Sequence, residues 1–114
     1  MKIQFITSKI SKTDLETIAR DNFENMVKGV ADLQKKVIAL GGELYADAEQ
    51  FLLERDSSPK DLWGFNIYSD RTFENRIEYT SFINIRPRDG NRSIEITNQE
   101  LKNKIKTIVD ALIE

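Results

Sequence analysis

The chain has 114 residues, of which 39 % are hydrophobic and 32 % are charged, with a net charge of −2 at neutral pH. This length suits one domain spanning residues 1–114, and the well-mixed charges disfavour intrinsic disorder and a global attraction to nucleic acid or anionic membranes. The absence of cysteine and histidine excludes disulfides, thiolate nucleophiles, Cys/His zinc sites and Ser-His-Asp triads. We predict no cofactor, and any metal would be a hard ion such as magnesium held by oxygen atoms.

The N-terminal segment predicts a short strand followed by a helix. Ile3 and Phe5 lie in a short apolar run typical of a strand. Ser11 and Thr13 are candidate N-caps, each with an acidic residue three positions later, and apolar residues then follow at helical spacing. These signals predict a first helix over about Thr13 to Asn25.

Two absences bear on location. The apolar run of MKIQFITSKISK is too short for a signal peptide. No stretch of the chain approaches the roughly 20 apolar residues of a membrane span. We therefore expect a cytoplasmic protein without a membrane partner.

The segment from Met26 to Leu40 has two interpretations. Its apolar residues recur at a helical period, and Gly41-Gly42 would suit a helix end. The same residues also form two strand-like runs, VKGVADL and KVIALGG, hinged at Gln34-Lys35. A glycine and several β-branched valines weaken the helix, so the residues alone leave both structures open.

The second half of the chain begins with a predicted helix over about Asp47 to Arg55, which Ser57-Ser58-Pro59 ends. Alternation of apolar and polar residues then predicts two antiparallel strands, DLWGFNIYSD and the run from Ile77 to Arg86. A polar loop, Ser69 to Arg76, would join these strands.

Pro87 ends the predicted strand, and Arg88-Asp89-Gly90-Asn91 has strong turn chemistry. Thr97 or Asn98 then caps a last amphipathic helix. Centrally grouped strands with helices around them predict a single α+β domain, in which an antiparallel sheet carries about three helices mainly on one face.

Three motifs, GGELYADAE, LWGFNIY and INIRPRDGNRS, occur in this order. Together they resemble the pattern of a family of small uncharacterised bacterial and archaeal proteins, a domain of unknown function, over most of the chain from MVKG to the final helix. The resemblance implies a strand-like sequence over 26–40, which favours the hairpin and a sheet of about four to five strands. The family pattern has histidine where this chain has Tyr45. Because tyrosine cannot replace imidazole near neutral pH, a shared role at this position would be hydrogen bonding or packing.

The first candidate site is RPRDGNRS, residues 86–93, which we call the arginine turn. Arginine side chains present planar forks that bind carboxylate or phosphate, and amides beside a glycine can form an anion-binding nest. The candidate ligands here are Arg86, Arg88, Asn91, Arg92 and Ser93. The alternative interpretation is a structural turn whose arginines pair with the acidic segment 43–56.

The second candidate site is GGELYADAE. Glu43 and Asp47 lie four residues apart, so on a helix they would share a face and could hold hydrated magnesium or act as an acid/base pair opposite Arg86 or Arg92. The alternative is that these carboxylates cap a helix start. Asn66 and Trp63 are further candidate ligand contacts: an interior asparagine needs a partner, while Trp63 would form either a stacking platform or part of the core.

These features support three hypotheses about function. The first is a non-catalytic binding or regulatory module whose arginine turn captures an anionic small ligand, a nucleotide phosphate or an acidic peptide. The second is a carboxylate- or magnesium-dependent enzyme that uses Glu43 or Asp47. The third is a structural protein that forms a homodimer through a sheet edge or an apolar strand face. Nucleic acid is a disfavoured partner, because only the arginine turn clusters enough basic residues.

Overall fold

The computed structural model describes all 114 residues. The chain forms five strands and three α-helices. In chain order they are β1 (Gln4–Ile6), α1 (Lys12–Arg20), β2 (Met26–Asp32), β3 (Val37–Leu40), α2 (Tyr45–Leu53), β4 (Leu62–Tyr68), β5 (Ile77–Glu78) and α3 (Gln99–Leu112). Single 3-10 turns lie at Pro59–Asp61, Phe73–Asn75, Phe82–Asn84 and Pro87–Asp89.

The strands form one antiparallel sheet in the order β1-β3-β2-β4-β5. The predicted α+β class with four to five strands and about three helices is therefore confirmed. None of the helices is both long enough and apolar enough to cross a membrane.

Segment 26–40 is the β2–β3 hairpin, so the helical interpretation of its periodicity was wrong. Asp32 organises the connection: its carboxylate accepts the N–H groups of Gln34 and Lys35, both at 2.9 Å. Its other oxygen accepts the Ser57 hydroxyl at 2.6 Å. Both faces of these strands are covered, so apolar residues occupy both faces and the period of two is hidden.

The helices divide between the two faces of the sheet. On one face, α1 and α3 enclose the larger core of 15 buried residues, which includes Leu15, Phe65 and Ile105. On the other face, α2 packs Ala48 and Leu52 onto a smaller cluster. Two of the three helices thus share one face, and α2 leaves the β4–β5 end of its own face for polar side chains.

The predicted strand from Ile77 to Arg86 is wrong beyond its first two residues, because β5 ends at Glu78. The chain then folds into the turn Phe82–Asn84, where the Ser81 hydroxyl accepts the Ile83 N–H at 3.3 Å. A Cβ added at Gly64 would lie 2.4 Å from Ser81. The close approach of Ser81 to β4 therefore requires glycine at this position.

The boundaries of two helices also differ from prediction. Helix α1 ends at Arg20 rather than near Asn25, because the chain turns there and Glu24 adopts a left-handed conformation with φ of 67°. Helix α2 begins at Tyr45 rather than Asp47 and ends at Leu53 rather than Arg55. Asp47 is the third helical residue, and its carboxylate accepts the Leu44 N–H at 3.0 Å.

Candidate binding site at the arginine turn

The arginine turn is closed by a pair of main-chain hydrogen bonds. The Arg86 N–H donates to the Asn91 carbonyl at 2.7 Å, and the Asn91 N–H donates to the Arg86 carbonyl at 3.1 Å. Between them, the 3-10 turn Pro87–Asp89 ends at Gly90, whose φ of 79° is left-handed. Because the chain reverses within these few residues, its side chains project from a fixed loop.

Asn84, which was not among the candidate ligands chosen from the sequence, attaches this segment to the sheet. Its side-chain oxygen accepts the Gly64 N–H at 2.8 Å, and its Nδ2 donates to the Gly64 carbonyl at 3.0 Å. The amide thereby replaces a neighbouring strand beside β4, where β5 no longer pairs. Asn84 is fully buried, and its sequence signal is that of a polar residue within an apolar strand pattern, which needs a hydrogen-bond partner.

Asn91 is used within the fold. Its Nδ2 donates to the carbonyls of Asn84 and Ser93 at 2.8 and 2.9 Å, and its Oδ1 accepts the Thr97 N–H at 3.1 Å. The side chain is buried. All of these partners belong to the chain itself, so Asn91 links the turn to the residues that lead into α3.

Arg86 is also held by the protein's own main chain. Its guanidinium donates to the carbonyl oxygens of Leu62 and Lys60 and lies 4.1 Å from the centre of the Trp63 ring. Partial burial lowers the pKa of Arg86 from its usual value, and nearby carboxylates, including Asp89, oppose that shift. Trp63 is 6 % exposed and belongs to the larger core, so its ring packs rather than offering an open stacking platform.

The other arginines of the turn have different surroundings. Arg88 and Arg92 are exposed and form no hydrogen bond or ion pair. Ser93 is exposed and donates its hydroxyl to the Glu95 carbonyl at 2.8 Å. The side chains of Arg86 and Asn91 therefore donate to the chain's own carbonyl groups, whereas the guanidinium groups of Arg88 and Arg92 are free in solvent.

Large apolar side chains flank these two arginines along the chain. Phe82 is 75 % exposed, Ile85 is 46 % exposed and Ile94 is 39 % exposed. Arg86 and Asn91 form an isolated antiparallel bridge, and Ile85 and Arg92 are the residues next to it along the chain. We call this surface the arginine-turn face and define it by Phe82, Ile85, Arg88, Arg92 and Ile94.

The predicted carboxylate site lies elsewhere, at the start of α2. Asp47 caps the helix, as the alternative interpretation predicted, and the Glu43 carbonyl accepts the Lys28 ammonium at 2.6 Å. No ion pair joins the arginine turn to the acidic segment 43–56, and Glu49 attracts Arg86 without contacting it. The alternative interpretation was therefore wrong about the partners of these arginines. No group of three or more acidic residues is arranged to hold a metal ion.

Asn66 belongs to a polar cluster on the α2 face of the sheet. The Tyr45 hydroxyl donates to Asn66 Oδ1, and Asn66 Nδ2 donates to Glu78 at 2.7 Å. The Tyr68 hydroxyl reaches the same Glu78 oxygen at 3.3 Å. Burial raises the pKa of Tyr45 from its usual value. Asn66, 4 % exposed, is thus partnered inside the fold, and Tyr45 has the hydrogen-bonding role suggested for its position.

Two cavities on the surface do not coincide with the predicted site residues. A groove of about 690 Å³ lies between the β2–β3 connection and α3, where Leu33 and Ile108 are among the lining residues. A smaller cavity of about 120 Å³ lies near Arg76. The nine residues chosen from the sequence line neither cavity.

These features define a small single-domain α+β protein, whose five-stranded antiparallel sheet supports a braced arginine turn. The chain belongs to a family described as a protein of unknown function, DUF5674, whose profile matches residues 4–112. No curated protein and no solved structure matches the chain.

Proposed function

We propose that this protein is a non-catalytic binding module that captures an acidic segment of another protein on the arginine-turn face. The observation that carries the proposal is the pair of exposed guanidinium groups on Arg88 and Arg92, which have no partner within the chain. We place this activity in the cytoplasm.

The composition of the face suits a protein partner. Arginine and aromatic residues are enriched at protein interfaces and often contribute most of the binding energy. Phe82 offers an apolar anchor, with Ile85 and Ile94 beside it, while Arg88 and Arg92 can form bidentate bonds to carboxylates. A segment that mixes apolar and acidic side chains would complement both features.

Rigidity of the supporting backbone favours binding as well. Asn84, Arg86 and Asn91 join the turn to β4 and to the residues before α3. Because the turn is held before any partner arrives, little conformational entropy is lost when one binds. Arg86 and Asn91 therefore contribute by positioning the face rather than by contacting the partner.

A small anion is a weaker candidate for this face. Tight binding of a small anion requires several donors that converge within a concave site. Here Arg86 and Asn91 direct their donors at carbonyl groups of the chain, which leaves Arg88 and Arg92 on a projecting turn. An acidic protein segment can bind such a surface without a concave site, because it contacts several exposed side chains along its length.

Selection from a random peptide display library tests the proposal. We expect the parent protein to enrich peptides that combine Asp or Glu with Leu, Phe or Trp, and the R88E/R92E variant to lose this enrichment because its charge is reversed. The matched control is R20E, which reverses an exposed arginine at the end of α1. Equal enrichment of acidic peptides by R88E/R92E would refute the proposal.

A second copy of the chain is the competing occupant of this face. Sedimentation velocity over a range of concentrations distinguishes the two cases. On our proposal the isolated protein stays monomeric, or forms a dimer that R88E/R92E does not weaken. A dimer that dissociates in R88E/R92E but persists in R20E would instead support the homodimer hypothesis.

A further inference from the structure

The small cavity lies at the end of β4, beside the start of α1 and the 3-10 turn Phe73–Asn75. Nine residues line its volume of about 120 Å³. Those with cationic or hydroxyl-bearing side chains include Lys12, Ser69, Arg71, Thr72 and Arg76. Glu114 is the one lining residue with a carboxylate side chain, so the residues around the cavity carry an excess of positive charge.

Arg76 is a buried lining residue of this cavity, with its side chain only 4 % exposed. Its guanidinium donates to the carbonyl oxygens of Ile113 and Glu114, both at 2.6 Å, and to Asp110 at 3.3 Å. The Nε–H group is buried and donates to no acceptor. Buried donors are nearly always satisfied, and an unsatisfied donor on a charged group is costly.

Arg76 shares its hydrogen-bonded carboxylate with a second cation. Asp110, its carboxylate partner, also accepts the Lys106 ammonium at 2.6 Å, so one carboxylate faces two cations. Lys12 is the first residue of α1, and the start of a helix carries partial positive charge. A partly enclosed cavity strengthens these interactions relative to open water.

The size of the cavity limits what it can hold. Each water molecule in the liquid occupies roughly 30 Å³, so the cavity corresponds to roughly four waters. A tetrahedral oxyanion has five heavy atoms and a similar bulk. A phosphate group also carries about 1.5 to 2 negative charges at neutral pH, which suits the local excess of cations.

We propose that the cavity beside Arg76 binds a tetrahedral oxyanion, either free phosphate or the phosphate group of a small metabolite. Arg71 and Lys12 are exposed and bind the oxyanion directly, while Arg76 supplies charge from the buried wall. The bound anion also offsets the cost of the buried Arg76 Nε–H group, which has no acceptor within the chain. This site is separate from the arginine-turn face, so either proposal can fail without the other.

The test is an NMR titration that follows backbone amide and arginine Nε–H signals at constant ionic strength. The probes are inorganic phosphate, sulfate and glycerol phosphate, with chloride as the reference anion. We expect saturable shifts at Ser69, Arg71 and Thr72 with phosphate. Tighter binding of glycerol phosphate would identify the phosphate group of a metabolite as the ligand, and tighter binding of inorganic phosphate would identify the free ion.

The test uses variants of exposed cations, because replacement of the buried Arg76 would lower the stability of the fold and confuse loss of binding with unfolding. We expect R71S and K12S each to weaken phosphate binding by about tenfold or more, as the loss of one charge-assisted hydrogen bond implies. The control R92S removes an exposed arginine outside the cavity and should leave the affinity unchanged. Shifts that do not saturate, unchanged affinity in R71S, or equal losses in R71S and R92S would each overturn the proposal.

Discussion

At the residue scale, the buried side-chain amides of Asn84 and Asn91 hold the second half of the chain together. The Asn84 side chain hydrogen-bonds the N–H and the carbonyl of Gly64, which no strand pairs on that side of β4. The Asn91 side chain accepts the Thr97 N–H and so connects the arginine turn to the residues before α3. Each amide offers donors and an acceptor in one plane, so a single residue substitutes for a strand or a cap. From the sequence, the backbone amide of Asn91 was a candidate donor to an anion, whereas in the fold that N–H donates to the Arg86 carbonyl. Donor chemistry alone does not reveal which acceptor lies opposite.

Truncation of Asn84 tests this role. N84A leaves the N–H and carbonyl of Gly64 buried without partners, and each such group costs about 1–3 kcal/mol. We therefore expect the free energy of unfolding to fall by about 2–4 kcal/mol, measured by urea denaturation. The exposed Asn103 gives the matched control, since N103A should change stability by less than about 0.5 kcal/mol. A similarly small effect of N84A would show that Gly64 finds other partners.

At the element scale, the hairpin and the central strands depend on close packing between neighbouring strands. Gly29 on β2 pairs with Leu40 on β3 and with Phe65 on β4. The Phe65 ring lies over this glycine, so a Cβ added at Gly29 would be 2.5 Å from the ring. Gly29, which weakened the helical interpretation of this segment, is thus the position against which the Phe65 ring packs in the core.

Addition of one methyl group at this position should be costly. Overpacking of a dense core typically costs about 1–3 kcal/mol, so we expect G29A to lower the free energy of unfolding by that amount. A smaller side chain in G29A/F65L should relieve the clash. In a double-mutant cycle the combined loss should therefore be smaller than the sum of the single losses. Additive losses would contradict the contact.

At the scale of the whole molecule, the pH dependence of the free energy of unfolding reflects the ionisation of the partly buried tyrosines. The chain has no histidine or cysteine, so few side chains change charge between about pH 6 and pH 9. Burial raises the pKa values of Tyr45, Tyr68 and Tyr79 above the ordinary value of 10.0. The hydrogen bond to Asp110 likewise raises the pKa of Lys106.

The sign of the effect follows from these directions. A phenol whose pKa is raised by folding is still protonated in the folded state at a pH where the unfolded chain has begun to lose that proton. Its contribution to stability is therefore complete below about pH 10 and declines as the pH rises further. We expect urea denaturation to show nearly constant stability from about pH 7 to pH 9 and a fall above about pH 10.

The Y45F variant isolates one of these phenols. It lacks the titrating hydroxyl, so its stability should fall less steeply than that of the parent above about pH 10. Its stability near neutral pH should be lower, because the hydrogen bond to Asn66 is lost. Parallel pH profiles of Y45F and the parent above that pH would contradict the assignment.

The sequence by itself determined the α+β class, the three helices and their approximate positions, and the family. Capping residues, turn residues and hydrophobic periods are local signals, so they specify local structure. The β2–β3 hairpin could not be assigned from local patterns, because strands covered on both faces lose the alternation of apolar and polar residues. The resemblance to the family favoured the hairpin, and the tertiary structure shows it. Only the tertiary structure decided that β5 is short and that Arg86 and Asn91 face the chain's own carbonyl groups. Asn84 and Arg86 find their acceptors in or just before β4, 20 or more residues away, and local patterns carry no information about such distant partners. The acceptors of Asn91 are nearer in sequence, but they face its side chain only because the turn is folded back by these contacts.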